Sequence, residues 1–142
     1  MTGNNETTTE KGERNEREAA NILGRVRGKG SVEKVDGYGN TDPWNFADVI
    51  AIGDGKVVIL QVKTNTFTAA DRRKYRQRMR RIDFDHARFE VWVRVDYEGW
   101  RMYEYNPETS EFEQFIETDT CDHEAAVEAY RKHVSYYDDK EN

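Results

Sequence analysis

The sequence predicts a single-domain α/β protein, a central mixed β-sheet flanked by helices, with its elements in the order α-β-β-β-α-β-β-β-α. Three observations carry that expectation. Segments with apolar residues at helical spacing lie near both ends of the chain, short apolar or alternating runs bounded by turn residues fill the middle, and a basic helical segment divides those runs into two groups. Tight turns join antiparallel strands, whereas a helical crossover permits a parallel pair, so the sheet should contain both. With 142 residues and no linker or internal repeat, one domain is expected.

Residues 1–10 form a Thr-, Asn- and Glu-rich tail, expected to be disordered, with the folded domain spanning 11–142. From Gly12 to Arg27 the residues Ala19, Ala20, Ile22, Leu23 and Val26 make the apolar stripe of a helix. Glu16 stands three, four and seven residues before Ala19, Ala20 and Leu23, which sets a carboxylate on that stripe. It can equally complement the helix dipole from the first turn. Glu13 falls at the edge of the face and Glu18 on the far side. Ser31 to Val35 reads as a short strand.

The next stretch is the most informative. Val49 to Ile52 and Val57 to Leu60 flank Gly53-Asp54-Gly55-Lys56, and an Asp-Gly pair is a strong hairpin signal. A two-residue turn there pairs Gly53 with Lys56, Ile52 with Val57, Ile50 with Ile59 and Asp48 with Gln61. Directly opposed residues share a face and strand side chains alternate, so Asp48, Gln61 and Lys63 converge at the open end of an apolar hairpin. Leaving a carboxylate beside a core edge unpaired is costly, whereas a divalent ion or a neighbouring ammonium offsets it. The plain alternative is that the strand ends meet solvent and carry ordinary surface groups.

Arg72-Arg73-Lys74-Tyr75-Arg76-Gln77-Arg78-Met79-Arg80-Arg81 holds seven cations and no acid, in a chain whose net charge is −6. Thr68-Ala-Ala-Asp71 is a capping-box-like helix start, and Tyr75, Met79 and Ile82 give a packing edge. Charge runs usually make a solvated helix face. Here no acid within the run can supply the usual i,i+4 pairs, so the segment reads as a footprint for phosphates.

Phe89, Val91, Val93 and Val95 alternate with Arg88, Glu90, Trp92 and Arg94 in a further strand. Tyr97-Glu98-Gly99-Trp100 turns into another near Arg101 to Tyr105. After the turn at Asn106–Ser110, Phe112 to Ile116 forms the last strand. A final helix from about Asp122 to Val134 has its stripe at Ala126, Val127, Tyr130 and Val134. Cys121, Asp122 and His123 near its start read as ordinary capping residues, since zinc sites need spaced ligand pairs. His86 and His133 give no signal. Trp44 is read as a core cover beneath a loop, with base stacking as the alternative. Asp42 before Pro43 lies outside the paired strands, so Asp48 is the better ligand.

The acidic helix after Lys11-Gly12, then Asp48 in Ala47-Asp48-Val49-Ile50, then Gln61-Val62-Lys63, resembles the PD-(D/E)XK nuclease superfamily. Within it the likeness is to archaeal Holliday-junction resolvases and related viral and phage nucleases. The resemblance covers residues from about 11 to 105 and implies a restriction-endonuclease-like fold. It implies that Asp48, the Gln61 oxygen, the Val62 carbonyl and Glu16 hold Mg²⁺ or Mn²⁺, with Lys63 beside the reacting phosphate, as catalytic residues Asp48, Gln61, Lys63 and Glu16. Gln61 departs from the family's acidic residue, giving a neutral and weaker ligand for a hard cation. The resolvase-type Ser-Gly loop is not matched either.

The resemblance implies a metal-dependent DNA endonuclease that leaves 5′-phosphates, acts on branched DNA and works as a homodimer. The alternatives are a nuclease for linear, nicked or single-stranded DNA, or a non-catalytic DNA-binding protein on a degenerate nuclease fold. DNA contact is expected through Arg72, Arg73, Lys74, Arg76, Arg78, Arg80 and Arg81. One cysteine allows no internal disulfide, and no run reaches membrane length. The expected setting is the cytoplasm of an archaeal cell or a virus-infected host.

Overall fold

The first helix, α1 (Thr8–Arg27), begins about one turn before the expected start at Gly12. Thr7 and Glu10 form a capping box: the Thr7 hydroxyl accepts from the Glu10 N–H at 3.1 Å, and the Glu10 carboxylate accepts from the Thr7 N–H at 3.2 Å. That reciprocal satisfaction of orphan donors extends the helix into what the sequence suggests is tail. The computed structural model describes residues 6–28, 32–34, 48–53, 56–80 and 87–141. Expectations for residues 1–5, Gly30, Ser31, Asp42, Pro43, Trp44, the Asp54-Gly55 turn, Arg81, Ile82 and His86 lie outside the described residues.

Among the described residues six strands follow: β1 (Val32–Lys34), β2 (Val49–Gly53), β3 (Lys56–Thr64), β4 (Ala87–Val95), β5 (Gly99–Asn106) and β6 (Glu111–Glu117). Helix α2 (Ala69–Met79) lies between β3 and β4, and α3 (His123–Glu141) closes the chain. The sheet order is β1-β2-β3-β4-β5-β6. Among the described strands β3 and β4 alone pair in parallel, across the α2 crossover, and the other neighbours are antiparallel. The β2–β3 register sets Gly53 against Lys56, Ile52 against Val57 and Ile50 against Ile59, as the hairpin reading requires. The protein is thus an α/β domain with a mixed sheet between helices.

Both faces of the sheet are covered. On one, Ala19, Ile22 and Leu23 of α1 and Ala126, Val127 and Tyr130 of α3 pack on Val49, Val58, Leu60, Val62, Trp92, Trp100 and Met102. On the other, Tyr75 and Met79 of α2 cover Ile59, Phe89, Val91, Val93, Tyr105 and Phe112. Alternation along β4 is therefore not apolar-in and polar-out: Trp92 and Glu90 are as buried as Phe89 and Val91. Trp92 packs edge-on to Trp100 and Tyr130, with centroids 5.8 and 5.0 Å away. Its indole N–H donates to Glu90 at 2.8 Å, Arg88 lies 3.4 Å from the same carboxylate, and the Tyr130 hydroxyl donates to it at 3.4 Å. Burial, with the Glu90 charge adding to it, pushes the Tyr130 phenol well above its ordinary value.

Two expectations about facing are corrected. Ile52, read as part of the apolar hairpin and so expected to pack, is 61% exposed, because it lies toward the turn of the β2–β3 hairpin and outside both buried clusters. Glu18, assigned to the far side of α1, accepts the Trp100 indole N–H at 3.0 Å and lies 3.6 Å from the Arg94 guanidinium. A polar rim of the sheet reaches it there. No helix is long and apolar enough to cross a membrane among the described residues.

Candidate active site and nucleic-acid interface

At the C-terminal end of β3 the chain places Gln61 opposite Val91 and Lys63 opposite Val93, on the α2 face of the sheet. Asp48 precedes β2, and its N–H donates to the Leu60 carbonyl at 2.8 Å, which extends the hairpin by one step toward Gln61. One Asp48 carboxylate oxygen, Oδ2, accepts from Gln61 Nε2 at 2.7 Å and from the Val62 N–H at 2.9 Å. Gln61 Nε2 also donates to the Val62 carbonyl at 3.3 Å. Of the residues that sequence reasoning brings together, Asp48, Gln61 and Val62 are in contact, while Lys63 stands two residues past Gln61 along β3 with its ammonium toward Asp71; the Val62 N–H bond to Asp48 is an addition that only the backbone geometry discloses.

The chemistry of this cluster follows from its acceptors. A carboxylate oxygen and a peptide carbonyl both aim at one amide NH₂, whose hydrogens carry partial positive charge, so the amide stands where two oxygens call for a cation. A divalent ion fits that donor set if Gln61 turns its amide over and presents Oε1, since amide rotation exchanges a donor for an acceptor at the same place. The set is all oxygen but carries one negative charge, which suits a weakly held hard cation that keeps several waters. No group of three His, Cys, Asp or Glu suited to a metal occurs among the described residues.

Glu16 is half-buried; the fully buried position beside it is Asn15. Asn15 lies four, seven and eight residues before Ala19, Ile22 and Leu23, so it heads the stripe and Glu16 flanks it. Asn15 Nδ2 donates to the Thr64 hydroxyl at 2.9 Å, tying α1 to the end of β3 one residue past Lys63. The inward carboxylate expected at position 16 is thus replaced at full burial by an amide at position 15.

Lys63 is held by Asp71 of the α2 cap. Its Nζ lies 3.3 Å from Asp71 Oδ2, and the Lys63 side chain is 24% exposed. Asp71 is the third residue of α2 and completes a capping box with Thr68: Thr68 Oγ1 accepts from the Asp71 N–H at 3.0 Å, and Asp71 accepts from the Thr68 N–H at 3.1 Å. Burial is the largest single influence on Asp71 and opposes its ionisation. The Thr68 bonds and the Lys63 charge together outweigh it and hold the carboxyl below its ordinary range. The pair is therefore intact at neutral pH and lost only as pH falls through that depressed value. The signal was present in Thr68-x-x-Asp71, read as a cap but not as a partner for Lys63.

The basic helix divides into internal and outward cations. Arg72 sits over the rings of Phe67 and Tyr103, 4.4 and 4.9 Å from their centroids, and Arg76 pairs with Glu111 at 2.9 Å. The absence of acids inside the run did not mean absence of partners, because Glu111 comes from β6. Arg73, Lys74 and Arg80 are exposed, and Arg78 is half-buried. Replacing Arg73, Lys74 and Arg80 together by Gln should lower the salt dependence of DNA affinity by roughly two to three in log–log slope, at about 0.9 for each phosphate no longer neutralised. Arg76→Gln should leave the slope unchanged and cost about 0–1 kcal/mol of stability. Binding titrations across a salt series, with urea melts, check both; an unchanged slope in the triple variant removes α2 from the interface.

Fold and site together describe a sheet between helical layers, with a carboxylate, an amide, a carbonyl and a lysine gathered at the end of its one parallel pair. No family model matches the chain, and no curated protein matches it. Among solved structures, a match is the Holliday junction resolvase Hjc of the archaeal hyperthermophile Archaeoglobus fulgidus. It is 18% identical, covers 73% of this chain and 87% of that one, and has a TM-score of 0.47.

Proposed function

We propose that this protein is a metal-dependent DNA endonuclease of resolvase-like type that cuts phosphodiester bonds in branched DNA as a homodimer and leaves 5′-phosphates. The observation that supports it is the convergence of Asp48 Oδ2 and the Val62 carbonyl on the Gln61 amide, at 2.7 and 3.3 Å, two residues from Lys63. In this reading Asp48, the Val62 carbonyl and the turned Gln61 amide hold Mg²⁺ or Mn²⁺, with Glu16 acting directly or through water. The ion supplies Lewis acidity, making water a stronger acid and offsetting charge that develops on the phosphate. Lys63, steadied by Asp71, places a fixed positive charge beside the scissile phosphate and stabilises it most in the transition state. Arg73, Lys74 and Arg80 position the duplex through its backbone without reading sequence. The branched substrate and the paired subunits come from the resemblance of the motifs, together with the need for two symmetric cuts at a four-way junction.

One observation favours a second reading. The Gln61–Asp48 hydrogen bond satisfies the carboxylate without any ion, as expected of a DNA-binding protein on a nuclease fold that no longer cuts. Labelled four-way junction, linear duplex and single-stranded DNA, each in EDTA, Mg²⁺ and Mn²⁺, separate the two. Paired symmetric nicks confined to the junction are the expected result. Cutting of every DNA discards junction specificity but keeps the nuclease, whereas equal binding in EDTA and Mg²⁺ with no cutting overturns the enzyme reading.

A further inference from the structure

The hairpin joining β4 to β5 ends in Asp96-Tyr97-Glu98-Gly99, and there Tyr97 is 96% exposed with a φ of 65°. Left-handed backbone disfavours a bulky side chain, and Asn or Gly would take the position with less strain. A ring left in water also gains nothing from burial. Neither packing nor turn geometry accounts for the tyrosine, and strain retained at an exposed position is a mark of use.

Two depressions border the ring, and their charges differ. One, of about 410 Å³, is lined by Lys11, Arg14 and Arg94 with Glu18 and Asp96. The other, of about 160 Å³, is lined by Glu98, Glu117 and Asp119 with a single cation, Arg101. A polyanion is repelled from the second side, whereas on the first the three cations are matched by Asp96, Glu6 and Glu18 and remain able to exchange these partners for a phosphate. The first is also built. Asp96 accepts from Lys11 Nζ at 2.7 Å and Asn65 Nδ2 at 3.1 Å, while its own N–H donates to Asn65 Oδ1 at 2.8 Å. The bond from Lys11, followed by that from Asn65, holds the Asp96 carboxyl below its ordinary range, so the clasp persists at neutral pH. Asn65 follows Lys63 by two residues, so the depression shares the sheet end that carries the candidate active site.

We propose that this depression is a subsite for an unpaired nucleotide of DNA, with its base stacked on Tyr97 and its phosphate taken by Lys11 and Arg14. The inference rests on the nucleic-acid reading of the neighbouring site and extends it to the strand state of the substrate. Pockets of this volume suit a ligand of nucleotide size, and base–aromatic stacking is indifferent to sequence. Lys11 and Arg14 already face Asp96 and Glu6, at 2.7 Å in each case, so a phosphate must compete for them. A lone nucleotide should therefore bind weakly, and the subsite acts as part of a longer strand.

The test uses the full chain in EDTA, with a blunt duplex and the same duplex carrying a single-stranded arm that contains 2-aminopurine. Wild type and Tyr97→Phe should prefer the armed probe and change the 2-aminopurine fluorescence on binding. Tyr97→Asn should lose about tenfold in affinity for the armed probe and none for the blunt one. Its melting temperature should be unchanged or higher, an outcome that a purely structural role for Tyr97 would not give. Equal affinities of wild type and Tyr97→Asn for the armed probe would overturn the subsite while leaving the nucleic-acid reading in place. Failure of the wild type to bind either probe would overturn both.

Discussion

Asp48→Asn should lower the single-turnover rate of DNA cleavage by on the order of 10²–10³-fold while leaving the fold intact. The size of the loss follows from position: among the described residues, Asp48 is the carboxylate bonded where the Val62 carbonyl and the Gln61 amide also meet. An Asn oxygen can still accept from the Val62 N–H, now 2.9 Å from Asp48, so urea melts of this variant should match wild type. Asp48→Ala removes that acceptor as well and should cost about 1–2 kcal/mol of stability in addition. Cleavage at the wild-type rate by Asp48→Asn would remove the cluster as the active site. The companion change, Gln61→Glu, sets a second carboxylate where an amide now lies 2.7 Å from Asp48. Like charges then repel unless a cation intervenes, so Mg²⁺ should raise the melting temperature of Gln61→Glu more than that of wild type. An equal response would speak against residue 61 as a ligand.

Trp92→Ala should destabilise the protein by about 3–5 kcal/mol, a large part of the roughly 5–15 kcal/mol available to a domain of this kind. Trp92 is fully buried between Trp100 and Tyr130, so the substitution opens a cavity that three elements cannot close without moving. It also takes the 2.8 Å indole donor from Glu90, whose carboxylate has no exposure to water. A buried charge that loses a donor adds its own penalty to the lost packing. Urea denaturation monitored by circular dichroism gives the midpoint; a loss below about 1.5 kcal/mol would mean that the α1–α3 face repacks freely.

What could be read from the sequence was whatever depends on neighbours along the chain. The β2–β3 register followed from Asp-Gly between two apolar runs, and that register alone brings Asp48 to Gln61. The start of α2 was legible because a capping box is a four-residue signal. Partners from distant segments were not legible. Nothing local to Arg76 announces Glu111 across 35 positions, nothing near Lys63 distinguishes Asp71 as its counter-ion, and Glu18 looked outward until Trp100 met it. Glu16 is half-buried at the flank of the stripe, because several apolar positions on α1 admit two phases and packing against β3 chose the one that buries Asn15. Tyr97 was invisible for another reason: a positive φ at a non-glycine residue leaves no trace in hydrophobic periodicity.

The docking of the last helix on the first has a consequence for how the chain comes off the ribosome. Arg25 binds Glu124 and Arg27 donates to Tyr130 at 3.0 Å, so each terminal helix completes the other. Until α3 emerges, the side of Trp92 and Glu90 that Tyr130 covers faces water, although every strand has already been synthesised. The nascent chain can pair its strands one after another, since each lies beside its successor in sequence, but it cannot close its larger core before α3 has been synthesised. Final consolidation therefore awaits α3, and a chain that has not yet reached it carries a sticky aromatic surface of the kind that chaperones hold.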